Sequence, residues 1–277
     1  MDLSNENILH IKNGDFEFLQ FKKLLKYSDC LTHGYSLGIN RNFRTGKANG
    51  QIISSEEYSK AINDYKDFCD CINLNYKNII KTKQNHTDNI KIINEKINID
   101  GPDTENYSNT DGLITNKKDL ILATTNADCI LLLFFDPVKK VIANVHSGWK
   151  GTIQRISVKT VKKMKMEFNS NPKDIICAIC PSIRKCHFEV DKEVSDIFYN
   201  EFRDLKNIDE IIEKDLQKEK WYVDTVEINK TILLKEGLLK DNIIDSKICS
   251  VCNKEYIHSY RVEKEGYGLS TAIISLI

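Results

Sequence analysis

The chain has 277 residues, 41% of them hydrophobic and 29% charged, which is ordinary for a soluble globular protein of one large or two average domains. Forty basic residues balance forty acidic ones, so neither nucleic acid nor an anionic membrane is expected as a bulk electrostatic partner. Nine cysteines, an odd number in a chain long enough to bury a core unaided, point to a reducing cytoplasm with thiols that are buried, metal-bound or reactive.

Residues 1–30 lack a basic start, an apolar core and a small-residue cleavage site, so no signal peptide is expected. Ser54-Ser55-Glu56-Glu57 fits a capping box, and Tyr58, Ala61, Ile62, Tyr65, Phe68 and Ile72 follow at helical spacing. A short strand is expected over Asn78–Lys83, followed by a polar turn holding Gln84-Asn85-His86. Asn94–Asn109 is mostly polar, contains Gly101-Pro102 and reads as a surface loop. Leu120–Thr124, Ile130–Phe135 and Val141–Val145 read as buried strands, with a turn at Asp136-Pro137; the run Ile130–Phe135 is far too short to span a bilayer. Beyond Gly151, the residues Ile153, Ile156, Val161, Met164 and Phe168 form one helical stripe. Ile175–Ile179 reads as a strand and Glu193–Phe202 as a helix, and Asp224 with Glu227 marks a further helix start. No Gly/Ser or Pro-rich linker divides the chain, and the irregular alternation predicts one α+β domain over 1–277, with mixed β-sheets covered by helices.

Chemistry concentrates in Asn126-Ala127-Asp128-Cys129 and His146-Ser147-Gly148-Trp149-Lys150-Gly151. Cys129 at a strand entry is by default a small buried hydrophobe. Asp128 beside it argues for more, because an unpaired carboxylate at a core edge is costly. With His86 and His146, Cys129 completes either three ligands of a zinc ion with one open position, or a nucleophilic thiol site. Gly148 and Gly151 leave unhindered N–H groups at a helix start, where Lys150 adds a charge for phosphate; Trp149 packs or stacks on a base. Arg261, after Tyr260, is a surface cation or a bidentate grip on phosphate or carboxylate. The pairs Cys177/Cys180 and Cys249/Cys252 are too far apart in sequence for a zinc ribbon, and Cys177 lies inside an apolar strand; Cys186-His187 offers a rim position instead.

These residues carry a family resemblance. Gln84-x-His86, Asp111-Gly112-Leu113-Ile114-Thr115, Ala127-Asp128-Cys129, the His146–Gly151 motif, Pro181-Ser182-Ile183, Phe188-Glu189-Val190, Cys249/Cys252 and Ser259-Tyr260-Arg261 resemble the laccase-domain family. That family is also called multicopper polyphenol oxidoreductase, purine nucleoside phosphorylase laccase-like or peptidoglycan editing factor-like. The resemblance implies a zinc ion on His86, Cys129 and His146. It also implies phosphorolysis of adenosine, inosine and methylthioadenosine, and deamination of adenosine. The implied fold is similar to that of cytotoxic necrotizing factor deamidases, a cysteine hydrolase fold. Ile130 after the cysteine, Cys180 before Pro181, Leu269 near the end and the lack of a Gly-Asp pair in Arg41–Gly50 depart from the family pattern and bear on substrate choice.

The leading expectation is therefore a cytoplasmic zinc enzyme, monomer or small homo-oligomer, acting on a nucleoside and phosphate. Cys129, His146 and Asp128 are its catalytic candidates, and Lys150, Gly148, Gly151 and Arg261 its substrate-binding ones. A metal-free cysteine hydrolase acting on amide bonds of peptidoglycan precursors, with Cys129 as nucleophile and His146 as base, is the alternative. A copper-dependent phenol oxidase is weaker, because six histidines are too few for several copper ions, and Met1, Met164 and Met166 lie far in sequence from the motifs.

Overall fold

The computed structural model describes residues 2–46, 53–94, 101–102 and 107–277. Residues 47–50 of the Arg41–Gly50 stretch, 95–100 and 103–106 of the expected surface loop, and Met1 lie outside the described residues. Two six-stranded mixed sheets dominate. The first runs in the order Ile8–Asn13, Phe16–Phe21, Leu31–Ser36, Ser270–Leu276, Ile121–Asn126, Ile79–Lys81. The second runs Ile243–Asp245, Ile176–Ile179, Ile130–Asp136, Val141–Ser147, Gly112–Thr115, Ile90–Ile92. A small third sheet joins Glu189–Val190, Lys220–Val223 and Ile212–Asp215.

The apolar runs are continuous because the second sheet is buried on both faces. Leu131, Leu133 and Phe135 point into the core between the two large sheets, with Leu19, Tyr35, Leu122 and Ile274. Their alternates Ile130, Leu132 and Phe134 pack with Val161, Met164 and Leu233 from the helices Ile156–Phe168 and Thr225–Lys235. On the far side, Phe18, Ile121 and Ile273 of the first sheet pack with Tyr65 and Phe68 of the helix Ser55–Cys71. The result is four layers, helix–sheet–sheet–helix, each burying the face the next one needs covered. Among the described residues, no helix is long and apolar enough to cross a membrane.

Local signals are met where side-chain capping decides. Ser54 and Glu57 form the reciprocal capping box at the start of Ser55–Cys71, and the Asp224 carboxylate accepts the Glu227 N–H at 2.9 Å at the start of Thr225–Lys235. Two expectations change. His146 and Ser147 lie inside their strand rather than in the loop after it, with His146 directly opposite Leu131. The stripe after Gly151 is two helices, Trp149–Ile153 and Ile156–Phe168, not one. Arg155 breaks them with φ +57°, and its guanidinium is held by the Glu201 carboxylate (2.7 Å) and carbonyl (2.9 Å) on a neighbouring helix.

The hairpin Ile130–Asp136/Val141–Ser147 positions the chemistry. Asp136 closes its tight end by accepting the N–H groups of Val138 (2.9 Å) and Lys139 (3.0 Å). The register then places Ile130 opposite Ser147, so the open ends, with Cys129 on one strand and His146–Gly148 on the other, emerge together.

Candidate active site

Three segments meet at that open end. The turn at 84–87 is tied down by Gln84, whose amide donates to the Thr125 carbonyl (2.7 Å) and accepts the Thr125 N–H (2.8 Å). Asp111 gathers the rest of the turn. Its buried carboxylate accepts the N–H groups of Asn85 (3.2 Å), His86 (3.0 Å) and Thr87 (2.8 Å) and the Thr87 hydroxyl (2.7 Å). The same carboxylate meets His146 Nδ1 at 2.8 Å, which fixes the proton there and leaves Nε2 to face outward.

The ligand atoms of His86, Cys129 and His146 all lie within 4.8 Å of one another, with Cys129 Sγ 3.8 Å from His86 Nε2. A tetrahedral zinc ion with Zn–S about 2.3 Å and Zn–N about 2.0–2.1 Å requires S···N separations of about 3.6 Å. Gly148 stands against all three: a Cβ at its position would lie 2.7 Å from His86 Cδ2, 3.3 Å from Cys129 Sγ and 3.4 Å from His146 Cε1. Donor types, spacing and the missing side chain all fit an ion at this point.

The electrostatics are those of a tightly coupled group. Burial opposes ionisation of Cys129, yet His146 and then His86 hold its thiol down to about 6. Burial also opposes charging His146, but the Cys129 thiolate and Asp111 raise it to about 9. Asp111 is held at about 2 by His146 and Thr87, against its own burial.

Asp128 adopts φ +88°, an unusual conformation for a residue with a Cβ. Its carboxylate accepts the Ser250 hydroxyl (2.6 Å) and the Arg261 N–H (2.7 Å), so it anchors the segment before Cys129 to the C-terminal part of the chain. The Arg261 guanidinium donates to the carbonyls of His187 (3.0 Å) and Glu189 (3.1 Å). Lys150 is exposed, with its ammonium 5.5 Å from the Trp149 ring, and neither it nor Gly151 lines the adjacent cavity. Gly151 is buried inside a helix of five residues, where a Cβ would meet the Thr87 carbonyl at 3.4 Å. Cys177 and Cys180 are fully buried, and burial pushes both thiols up; they act as core side chains.

The cluster opens into a cavity of about 1350 Å³. Trp149, Phe188, Tyr260 and Tyr267 give it aromatic surface, and Arg44 and Lys81 give it positive charge. Sequence reasoning quoted Asp111 within a motif but gave it no role, and it missed Arg44 and Lys81. Asp111 had a usable signal: like Asp128, it is a carboxylate at the entry of a buried strand. Arg44 and Lys81 had none, since nothing in their spacing marks them.

A family model described as Multi-copper polyphenol oxidoreductase laccase matches residues 38–277. The chain belongs to this family. A purine nucleoside phosphorylase of Clostridium acetobutylicum is 32% identical over 266 residues, covering 94% of this chain and 96% of that one. The Bacillus subtilis purine nucleoside phosphorylase YlmD is 27% identical over 242 residues (86% and 82%). The adenosine deaminase RL5, from an unknown prokaryotic organism, is 25% identical over 193 residues (69% and 72%). In fold, the chain resembles the crystal structure of the Bacillus licheniformis hypothetical protein YfiH, with TM-score 0.80 at 24% identity, covering 96% of this chain and 100% of that one.

Proposed function

We propose that the protein is a zinc-dependent purine nucleoside enzyme. It would cleave adenosine, inosine and methylthioadenosine with phosphate, and deaminate adenosine. The observation that carries this reading is the convergence of His86, Cys129 and His146 at the mouth of a cavity large enough for a nucleoside and an anion together. The phosphorylase and deaminase relatives support the substrate class. The core that draws side chains from Leu3 to Leu276 supports treating 1–277 as one domain. The nine free thiols accord with a reducing cytoplasm, in which the enzyme would act as a monomer or small homo-oligomer.

His86, Cys129 and His146 would hold the ion and leave a fourth position facing the cavity. When bound, zinc supplies Lewis acidity and water ionised near neutral pH. Asp111 holds the His146 Nδ1 proton, so that the Nε2 lone pair would be the one offered to the ion. Asp128 positions Cys129 through Ser250 and Arg261. The aromatic wall takes the purine face, and Arg44, stacked on Tyr267 at 4.3 Å, supplies charge for phosphate. The reading therefore expects the phosphate KM to rise in Arg44→Ala, while Lys150→Ala, outside the cavity wall, leaves it within about twofold.

Metal analysis alongside assays with adenosine, with and without phosphate, tests the proposal. Cys129→Ala should lose this ion and both activities. A second reading rests on the linked Cys129, His146 and Asp111, which together have the composition of a thiolate–imidazole–carboxylate triad. In that reading the protein is an amide hydrolase, in keeping with the expected likeness to the deamidase fold. Wild-type metal content in Cys129→Ala with activity lost would favour it.

A further inference from the structure

Away from the cavity mouth, a second set of soft donors converges: Cys186, His187, Cys249 and Cys252. Cys186 and His187 lie in the turn before the strand Glu189–Val190, and Cys249 and Cys252 in the turns after Ile243–Asp245. A backbone bridge between Ser182 and Cys249, and the Ser250 N–H donating to the Ser182 carbonyl at 3.0 Å, hold the two segments side by side. Arg184 adds a bidentate pair with Asp245 at 2.9 and 2.6 Å. The Cys249–Cys252 turn is itself folded back, since the Asn253 N–H and side-chain amide both donate to the Cys249 carbonyl, at 3.1 and 2.8 Å.

We propose that these four side chains form a second metal centre, a structural zinc site with three thiolates and one imidazole. Geometry carries the argument. Tetrahedral zinc with the bond lengths above demands S···S edges of about 3.8 Å and S···N edges of about 3.6 Å. His187 Nδ1 lies 3.2, 3.6 and 3.5 Å from the sulfurs of Cys186, Cys249 and Cys252. Cys186 Sγ lies 3.7 Å from Cys249 Sγ and 4.0 Å from Cys252 Sγ, and all four ligand atoms fall within 4.8 Å of one another. One nitrogen thus faces three sulfurs at the edge lengths of a single coordination tetrahedron. A disulfide would use two of these thiols and leave the third thiol and the imidazole unexplained. Three sulfurs and one nitrogen in a tetrahedron select zinc over the harder divalent cations. Four protein ligands leave no open position, so the ion would be structural.

Binding converts the three thiols to thiolates and releases their protons to solvent, while the imidazole binds through Nδ1 in its neutral form. The site staples the 182–190 segment to the 243–253 segment. From there it reaches the cavity: Ser250 holds Asp128, next to Cys129, and the His187 carbonyl holds Arg261.

Protein purified in reductant without chelator should carry about two zinc ions per chain, one per centre. Cys186→Ser with Cys252→Ser should remove one ion and retain the other, and His86→Ala with Cys129→Ala should do the reverse. If the cysteine pair variant does not fold, the second variant decides alone. Stripped of metal and titrated with cobalt(II), it should show the intense thiolate-to-cobalt absorption and tetrahedral bands of a three-thiolate site. Wild-type zinc content in the Cys186/Cys252 variant, no thiolate–cobalt absorption in the His86/Cys129 variant, or an intramolecular disulfide among these cysteines in fresh protein would each overturn the proposal.

Discussion

Asp111 illustrates how much a single carboxylate can organise. It orients His146 and pins the turn that presents His86, so it acts on two of the three donors without touching the third. Asp111→Asn should weaken zinc binding by about 10–100-fold in a chelator competition, because the asparagine cannot serve all these donors. In the metal-free protein the same variant has a pH signature. A carboxyl held at about 2 when folded and near 3.9 when unfolded adds stability that is fully present above about pH 4 and lost as pH falls through about 2. Urea midpoints measured across that window should fall steeply for the metal-free wild type and less steeply for Asp111→Asn. Cys129 gives a second readout. With its thiol held at about 6, iodoacetamide modification of the Cys129 peptide in metal-free protein should rise through pH 6 and level off near neutrality, whereas a free thiol rises near 8.5. Zinc should suppress the modification. A midpoint near 8.5 would mean that the imidazoles do not act on the sulfur.

At the scale of elements, the hairpin and the turn after it decide the geometry. Gly148 has an ordinary φ of −64°, so its importance is the space it leaves rather than its backbone. Gly148→Ala should preserve the melting temperature to within a few degrees but displace the exposed His86 ring, which a Cβ would approach to 2.7 Å, and so cost the metal. Retained wild-type zinc affinity in a folded Gly148→Ala protein would contradict that steric account. The sequence showed the hairpin and its turn plainly, since apolar runs bounded by Asp136-Pro137 admit few other readings. It showed the capped helices as well. It hid the break at Arg155, because a left-handed arginine held by Glu201 depends on a neighbouring helix that no local pattern encodes. His86, Cys129 and His146 could be named together from their motifs, but their carboxylate organiser and the cavity's cations required the fold. The partner of Cys249/Cys252 was hidden in the same way: proximity to Cys186-His187 arises from the bridge between Ser182 and Cys249, a long-range pairing that no local pattern encodes.

Across the whole molecule, the two sheets share more than apolar surface. Buried Asn144 of the second sheet donates to the carbonyls of Leu122 and Ala272 in the first, both at 2.8 Å, and accepts the Thr124 hydroxyl. The outer helix depends on Phe68, which stacks on Phe16 at 5.0 Å and is fully buried. Phe68→Ala should destabilise the protein by about 3–5 kcal/mol in urea unfolding, while leaving the zinc donors on the opposite side of the first sheet in place. The first sheet also sets an order of events. Its strand Ser270–Leu276 lies between Leu31–Ser36 and Ile121–Asn126, and the Thr271 N–H meets the Ser36 hydroxyl across 235 positions of sequence. Contacts of such high contact order form slowly. Until that strand leaves the ribosome, its two neighbours present unpaired edges to anything nearby. Ser250 and Arg261, which hold Asp128, precede that strand but follow the hairpin by more than a hundred positions, so a nascent chain can build the hairpin early and acquires its anchored cysteine only after Arg261 has been added.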